Sequence, residues 1–267
     1  MGRVRRAKQL RRGPTDSAPG ARAGRRKAYA GKTSDARRRR QRMWWVSGAV
    51  VAAAAFAVAI SVGIPGPGGG PPRPKLASLA SLGHLVPPSS PGSLGPEGVP
   101  IPQAPPLVGT GNDARGRTVD GIQCNTSEQP LFHVHTHLTI FVDGAARQIP
   151  DGIGIVPPRQ VQQTSQGPFV KGGTCFYWLH THAPDGIIHI ESPVQQTYTL
   201  GDFFDIWGQP LGPTQVGPAT GMVTAFYDGK VYVGNPRNIP IGNHVQIQLD
   251  IGSPLIAPES IRFPSGL

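Results

Sequence analysis

A long apolar segment divides this chain into two parts of very different composition. From Met43 to Ile64 there are 22 residues without a charge, and Ser47 and Ser61 are the only polar side chains among them. A helix that rises about 1.5 Å per residue needs about 20 such residues to cross a hydrocarbon core of ~30 Å. Trp44 and Trp45 lie at the start of the segment, where interfacial aromatic residues are common. We therefore predict one transmembrane helix at 43–64.

The net charge of +11 is concentrated in front of this segment. Residues 1–42 contain 16 Lys and Arg against Asp16 and Asp35, whereas the rest of the chain has 10 basic and 13 acidic residues. Basic residues beside a span keep that end in the cytoplasm. We predict a disordered basic tail that sets orientation; contact with anionic lipid or nucleic acid is the alternative. Because the remainder is slightly acidic, we expect the protein as a whole not to bind nucleic acid.

The predicted topology is that of a single-pass protein of the cell membrane, with a cytoplasmic N-terminus and an extracytoplasmic C-terminal part. A cleaved signal peptide is the alternative, although its apolar part usually has only about 7 to 15 residues. Residues 65–106 are rich in Pro, Gly and Ser and bury too little apolar surface to offset the entropy of ordering. We expect them to form a semi-extended tether. Residues 107–267 are then the folded extracytoplasmic domain.

Alternating apolar residues and turn signals predict a domain that is mainly β. The pattern is strongest at Phe132–Val142, and Asp143-Gly144 and Asp228-Gly229 are typical two-residue hairpin turns. One short helix is predicted at Thr199–Trp207, with Thr199 as its N-cap and Gly208 as its end. The first choice of fold is a compact barrel or sandwich with this one helix. An α+β roll in which the helix covers a mixed sheet is the alternative.

Cys124 and Cys175 are the only cysteines. Two cysteines outside the cytoplasm more often form a disulfide than a metal pair. Cys124 precedes one histidine-rich segment by nine residues and Cys175 precedes another by five, so a disulfide would bring the two segments together. Two free buried thiols are the alternative.

Six of the eight histidines fall in two short segments, His133–His137 and His180–His189. Successive side chains of a strand point to opposite faces, so His133, His135 and His137 are expected on one face. In the second segment, a four-residue loop at Ala183–Gly186 predicts a hairpin. Its cross-strand pairs would be His182 with Ile187, His180 with His189, and Trp178 with Glu191.

This register places three imidazoles and a carboxylate on one face, a ligand set that suits Zn²⁺, Cu²⁺ or Fe²⁺. A shift of the strand register by one residue would place some of these ligands on the opposite face of the sheet. The predicted ligands of a divalent metal ion are therefore His180, His182, His189 and Glu191, with His133, His135 and His137 as a second wall. A hydrogen-bonded histidine network, structural or binding a small anion, is the alternative. With the cysteines paired and few methionines, Zn²⁺ or Cu²⁺ is favoured.

Three stretches give the chain a family resemblance: His133–Gly144, Leu179–Pro193 and Tyr198–Gly208. With these motifs, about residues 118 to 255 resemble a little-characterised group of exported or membrane-anchored bacterial and archaeal proteins without an assigned activity. The order His-x-His, turn, His-x-Glu is also similar to that of cupins, whose barrels hold a metal with histidines and a glutamate, but the glycine pattern of cupins is absent. Fold alone does not determine function.

Three functions fit this sequence. The first is a membrane-anchored protein that buffers, senses or delivers Zn²⁺ or Cu²⁺. The second is a metal-dependent enzyme, either a cupin-like oxygenase or a hydrolase in which Asp185, Glu191 or an unligated histidine acts as the base. The third is a cell-envelope interaction domain without metal. The membrane is the one partner that the sequence predicts. The sequence identifies no protein partner, and it does not decide which of these candidate bases would be catalytic.

Overall fold

Short β-strands account for most of the regular structure. The computed structural model describes residues 73–111 and 114–267. Within these ranges there is one α-helix, α1 (Leu200–Trp207), and two 3-10 turns, Leu79–Leu82 and Pro236–Asn238. The strands are β1 (Leu76–Ala77), β2 (Cys124–Asn125), β3 (Phe132–Val142), β4 (Ala145–Arg147), β5 (Gln160–Thr164), β6 (Gly167–Gly172), β7 (Phe176–Tyr177), β8 (Leu179–His180), β9 (Ile187–Ser192), β10 (Tyr198–Thr199), β11 (Leu211–Gly212), β12 (Gln215–Val216), β13 (Ala219–Thr220), β14 (Val223–Tyr227), β15 (Lys230–Tyr232), β16 (Pro240–Ile241) and β17 (Val245–Ile251).

The largest sheet has eight strands in the order β1-β15-β14-β17-β3-β9-β8, and β4 pairs with the end of β3. β3 and β17 run parallel, whereas the other pairs are antiparallel, so the sheet is mixed. The prediction of a mainly β domain with one short helix is confirmed for the described residues. The closed barrel is wrong for them, because the path of paired strands ends at β1 and β8, two edge strands of two residues each.

The predictions from local sequence patterns, namely the long strand, the two hairpin turns and the ends of the helix, are confirmed. β3 covers the predicted strand, and each Asp-Gly pair forms a hairpin turn with positive φ, 49° and 75° at Asp143-Gly144 and 47° and 75° at Asp228-Gly229. Two positive φ values are typical of type I′ turns, which match the twist of the flanking strands. Helix α1 begins at a capping box between Thr199 and Asp202 and ends at Gly208, which has a left-handed conformation.

The sheet has one apolar face and one histidine-rich face. Side chains alternate along β3 and β9, so Leu138 and Ile140 of β3 lie on the same side as Ile188 and Ile190 of β9. Phe141 and Ile187 lie on the opposite side. Helix α1 packs on the first of these sides with an aromatic cluster and completes the core, whose members include Leu138, Ile140, Ile188, Ile190, Phe203, Phe204 and Trp207. The histidines of β3 and β9 are therefore left on the other side.

The segment predicted to be a tether is in part integrated into this fold. Leu76 pairs with Tyr232 at the sheet edge, Val86 bridges to Ile256, and Val99 is fully buried. Edge-strand pairing and buried apolar side chains thus hold parts of residues 73–106 against the domain, where the sequence predicts a semi-extended tether. The predicted tail at 1–42 and transmembrane helix at 43–64 lie outside the described residues. Within the described residues, no helix has both the length and the apolar character that a membrane span needs.

Candidate metal centre

The hairpin formed by β8 and β9 has the register that the sequence predicts. Its ladder pairs His180 with His189, and the Glu191 amide donates to the Trp178 carbonyl at 2.8 Å. Gly186 makes the turn possible, since it has φ 85° and a Cβ there would lie only 2.3 Å from the Leu138 carbonyl oxygen. The turn therefore fixes the pairing that places the two histidines and Glu191 on one face.

Strand β3 forms the other wall of the site. Across its ladder with β9, His133 pairs with Glu191 and His135 with His189. The Nε2 atoms of His133 and His135 are 3.1 Å apart, and His135 Nε2 is 3.2 Å from His189 Nδ1. Two of the three histidines predicted for this wall thus join the cluster.

His137 does not join it. It pairs with Ile187, and its Nε2 lies 3.0 Å from the Asp185 carbonyl oxygen. Burial lowers its pKa to about 4, which the bond to that carbonyl only partly opposes. The two remaining histidines lie apart: His84 is exposed, and His244 stacks on Phe263.

Four of the predicted ligands converge in the buried part of the site. One ligand atom from each of His180, His182, His189 and Glu191 can be chosen so that all lie within 4.8 Å of one another. His180 Nε2 is 3.1 Å from His182 Nε2, and Glu191 Oε1 is 3.4 Å from His189 Nδ1 and 4.0 Å from His180 Nε2. All four residues are buried, and His180 has no exposed surface.

The second ring nitrogen of each of these histidines is held by an acceptor. His180 Nδ1 lies 2.8 Å from the Tyr177 carbonyl oxygen and His182 Nδ1 lies 2.5 Å from that of Val170. His189 Nε2 lies 2.7 Å from Glu97 Oε1. A carbonyl oxygen only accepts hydrogen bonds, so Nδ1 of His180 and Nδ1 of His182 carry the protons. When these rings are neutral, their Nε2 atoms present lone pairs to each other.

Electrostatics keeps the rings of His180 and His182 neutral. Burial, followed by the neighbouring histidines, holds the pKa of His180 well below its ordinary value, and burial with His189 lowers the pKa of His182 to about 4. Burial would also lower the pKa of His189. Hydrogen bonds and charges from Glu191 and Glu97 outweigh this effect and raise the pKa to about 9.

Two carboxylate oxygens in the cluster are buried without a partner among the described residues. They are Oε2 of Glu191 and Oε2 of Glu97. An unpaired buried acceptor carries a desolvation penalty of about 1–3 kcal/mol, and more when it is charged. Together with the two facing lone pairs, these atoms give the site an excess of acceptors, which a cation would satisfy.

Sequence reasoning missed two acidic residues beside the cluster. Glu97 contacts His189 from the supposed tether, and Glu128, a partly exposed residue, lies 3.5 Å from His182 Nε2. Glu97 is the only acid between residues 65 and 111, and a lone acid in a Pro/Gly-rich segment is the signal that could have identified it.

Cys124 and Cys175 form the predicted disulfide, with a Cα–Cα distance of 5.4 Å. The bond lies beside the pairing of β2 with β7. Next to it, Trp178 Nε1 donates to Asn125 Oδ1 at 2.8 Å. The disulfide thus ties the segment before β3 to the strand that leads into His180.

No protein-family model, curated protein or solved structure matches this chain. The resemblance to exported and membrane-anchored proteins therefore remains a prediction.

Proposed function

We propose that this protein is a membrane-anchored, extracytoplasmic metal-binding protein that holds Zn²⁺ or Cu²⁺ with His180, His182, His189 and Glu191. One observation carries the proposal: two buried neutral imidazoles present lone pairs to each other at 3.1 Å. Such a pair is unfavourable without a cation, and their protonated nitrogens are already committed to carbonyl oxygens.

The ligand chemistry supports these ions. Three imidazole nitrogens and one carboxylate suit Zn²⁺ and Cu²⁺, and Fe²⁺ is also compatible. The two cysteines are in a disulfide and so provide no thiolate, and Met222 is 70% exposed. The hydrogen bond from His189 to Glu97 resembles the carboxylate–histidine–metal arrangement that orients ligands in known sites.

Burial favours binding over catalysis. The four ligands are at most 7% exposed, which leaves little room for a substrate beside the ion. A cavity of about 900 Å³ is lined by residues that include His137 and Asp185, but by none of the four ligands. Storage, sensing or delivery of the ion is therefore the function that the site supports best.

The membrane location rests on two features. The chain has a charge-free segment at 43–64 after a basic tail, and its folded part contains a disulfide, which persists in oxidising compartments. We expect the full-length chain in the membrane fraction, resistant to salt and carbonate extraction, and a chain that begins at residue 65 in the soluble fraction. Release of the full-length chain by carbonate would contradict the anchor.

Metal analysis of the full-length chain, purified in detergent without a polyhistidine tag, tests the site. We expect one Zn²⁺ or Cu²⁺ per chain. The double variant His180→Ala/His182→Ala should lose at least about 100-fold in affinity, since removing even a hydrogen-bond partner of a ligand costs roughly 10–100-fold. The ion should also raise the melting temperature of the parent, because it binds only the folded state.

The matched control is His84→Ala/His244→Asn, which removes two histidines outside the cluster. Asparagine is used at position 244 because this residue has φ 56°, which asparagine tolerates. The control should bind like the parent. A parent that retains no metal and shows no thermal shift with either ion would exclude the proposed function.

A further inference from the structure

The five clustered histidines form two ligand groups that overlap at one residue. The inner group is His180, His182, His189 and Glu191, and the outer group is His133, His135 and His189. Both depend on the same atom, because His189 Nδ1 is 3.4 Å from Glu191 Oε1 and 3.2 Å from His135 Nε2. Its other nitrogen faces Glu97. One lone pair binds one ion, so the two groups cannot both be complete at the same time.

The two groups differ in exposure at one residue, His133, since His135 and His189 are buried like the inner ligands. The His133 side chain is 40% exposed, whereas the side chains of His180 and Glu191 are 0% and 4% exposed. An ion that enters past His133 therefore meets the outer group before it can reach His180.

The groups also differ in how firmly their rings are held. Each inner histidine has its second nitrogen bonded to a carbonyl or to Glu97. In contrast, neither Nδ1 of His133 nor Nδ1 of His135 has a hydrogen-bond partner among the described residues. Loss of such a hydrogen-bond partner typically lowers the affinity for the metal by roughly 10–100-fold. The inner group should therefore bind the ion more tightly than the outer group and release it more slowly.

Resting on the proposed function, we infer that the outer group is a loading position from which a single ion passes to the inner group. His189 Nδ1 stays bound to the ion throughout. Bonds to His133 and His135 break as bonds to Glu191, His180 and His182 form, and any proton that His189 Nδ1 carries without metal goes to solvent. Glu191 can follow the ion, since its Oε1 is 3.1 Å from His133 Nε2 and its Oε2 has no partner among the described residues.

Zn²⁺ exchange with a chromogenic chelator, followed by stopped-flow absorbance on the full-length chain in detergent, tests the loading position. The parent should bind one Zn²⁺. Removing an intermediate on the path slows both directions equally and leaves the equilibrium unchanged. In His133→Ala, the rates of uptake and release should both fall by about tenfold or more, which is about 1.4 kcal/mol or more of activation free energy. Its affinity should fall far less than that of His180→Ala, because His133 contacts one oxygen of the ligand Glu191 at 3.1 Å but is not itself a ligand of the inner group.

Two comparison variants make the result specific. His84→Ala removes an exposed histidine outside the cluster and should change neither rate nor affinity, whereas His180→Ala should lose affinity. Binding of two Zn²⁺ ions, unchanged rates in His133→Ala, or a loss of affinity there as large as in His180→Ala would each overturn the loading position while leaving the proposed function intact. Absence of Zn²⁺ binding by the parent would overturn both.

Discussion

Metal-free protein is expected to lose stability steeply as the pH falls from about 6.5 toward 4. The cause is a set of buried histidines whose rings are neutral in the folded state. Burial, together with neighbouring histidines, lowers the pKa of His135 to about 3 and that of His182 to about 4. Burial also lowers the pKa of His137 to about 4 and holds that of His180 well below its ordinary value.

The direction follows from counting protons. A histidine whose folded-state pKa lies below about 6.5 binds its proton more readily in the unfolded chain, so its contribution to stability is complete above that pH and is lost as the pH falls. Buried acids oppose this, because burial raises the pKa of Asp185 to about 8 and that of Asp250 to about 6. His189 has a raised pKa, and its contribution is already complete below about 6.5.

The size of the stability loss follows from the number of protons that the protein takes up on unfolding. Four histidines against two acids leave a net uptake of about two protons on unfolding, and smaller upward shifts of other carboxyl pKa values reduce it, as at Glu128 and Glu259. The expected loss is on the order of 1 to 2 kcal/mol per pH unit. This is a large fraction of a typical free energy of unfolding of about 5–15 kcal/mol.

Urea denaturation in the presence of a chelator, at several pH values between about 7 and 5, measures this loss. His137→Gln removes one titrating ring and retains a donor for the Asp185 carbonyl, so the free energy of unfolding should depend less on pH. The same change at exposed His84 should have no effect. Stability that stays constant or rises as the pH falls would mean that the cluster rings are protonated in the folded state, which would also remove the lone-pair argument for a metal.

The site could be predicted from the sequence where local geometry decides it. Period-two spacing and a four-residue turn determine which residues face each other across a hairpin, so the pairing of His180 with His189 follows from the chain itself. His137 has the same spacing but a different outcome, because the turn at Gly186 brings the Asp185 carbonyl to its ring. That approach is a tertiary contact and leaves no periodic signal.

Long-range contacts account for the other features of the site and the fold that the sequence does not predict. Glu97 meets His189 across 92 residues, and the carbonyls that orient His180 and His182 are backbone atoms whose positions depend on the whole fold. The predicted barrel is wrong for a similar reason. Strand patterns specify neighbours joined by short turns, whereas the central parallel pairing of β3 with β17 joins strands about a hundred residues apart.

Removal of the disulfide is expected to destabilise the protein by about 4 kcal/mol, since a cross-link that closes a loop of this length restricts the unfolded chain by about that amount. The bond joins residues separated by 51 positions, and the enclosed segment contains all of β3 with its three histidines. Urea denaturation of Cys124→Ser/Cys175→Ser, compared with the parent under oxidising conditions in the presence of chelator, measures the difference.

Reduction of the parent provides the matched control, because it removes the cross-link without changing a residue. Reducing agent should bring the parent to the stability of the serine variant and should leave that variant unchanged. A loss of about 4 kcal/mol is between about a quarter and four-fifths of a typical free energy of unfolding of about 5–15 kcal/mol, so the domain should be markedly less stable in a reducing compartment. The same measurement therefore bears on location, and a variant as stable as the parent would remove the disulfide as an argument that the domain needs an oxidising environment.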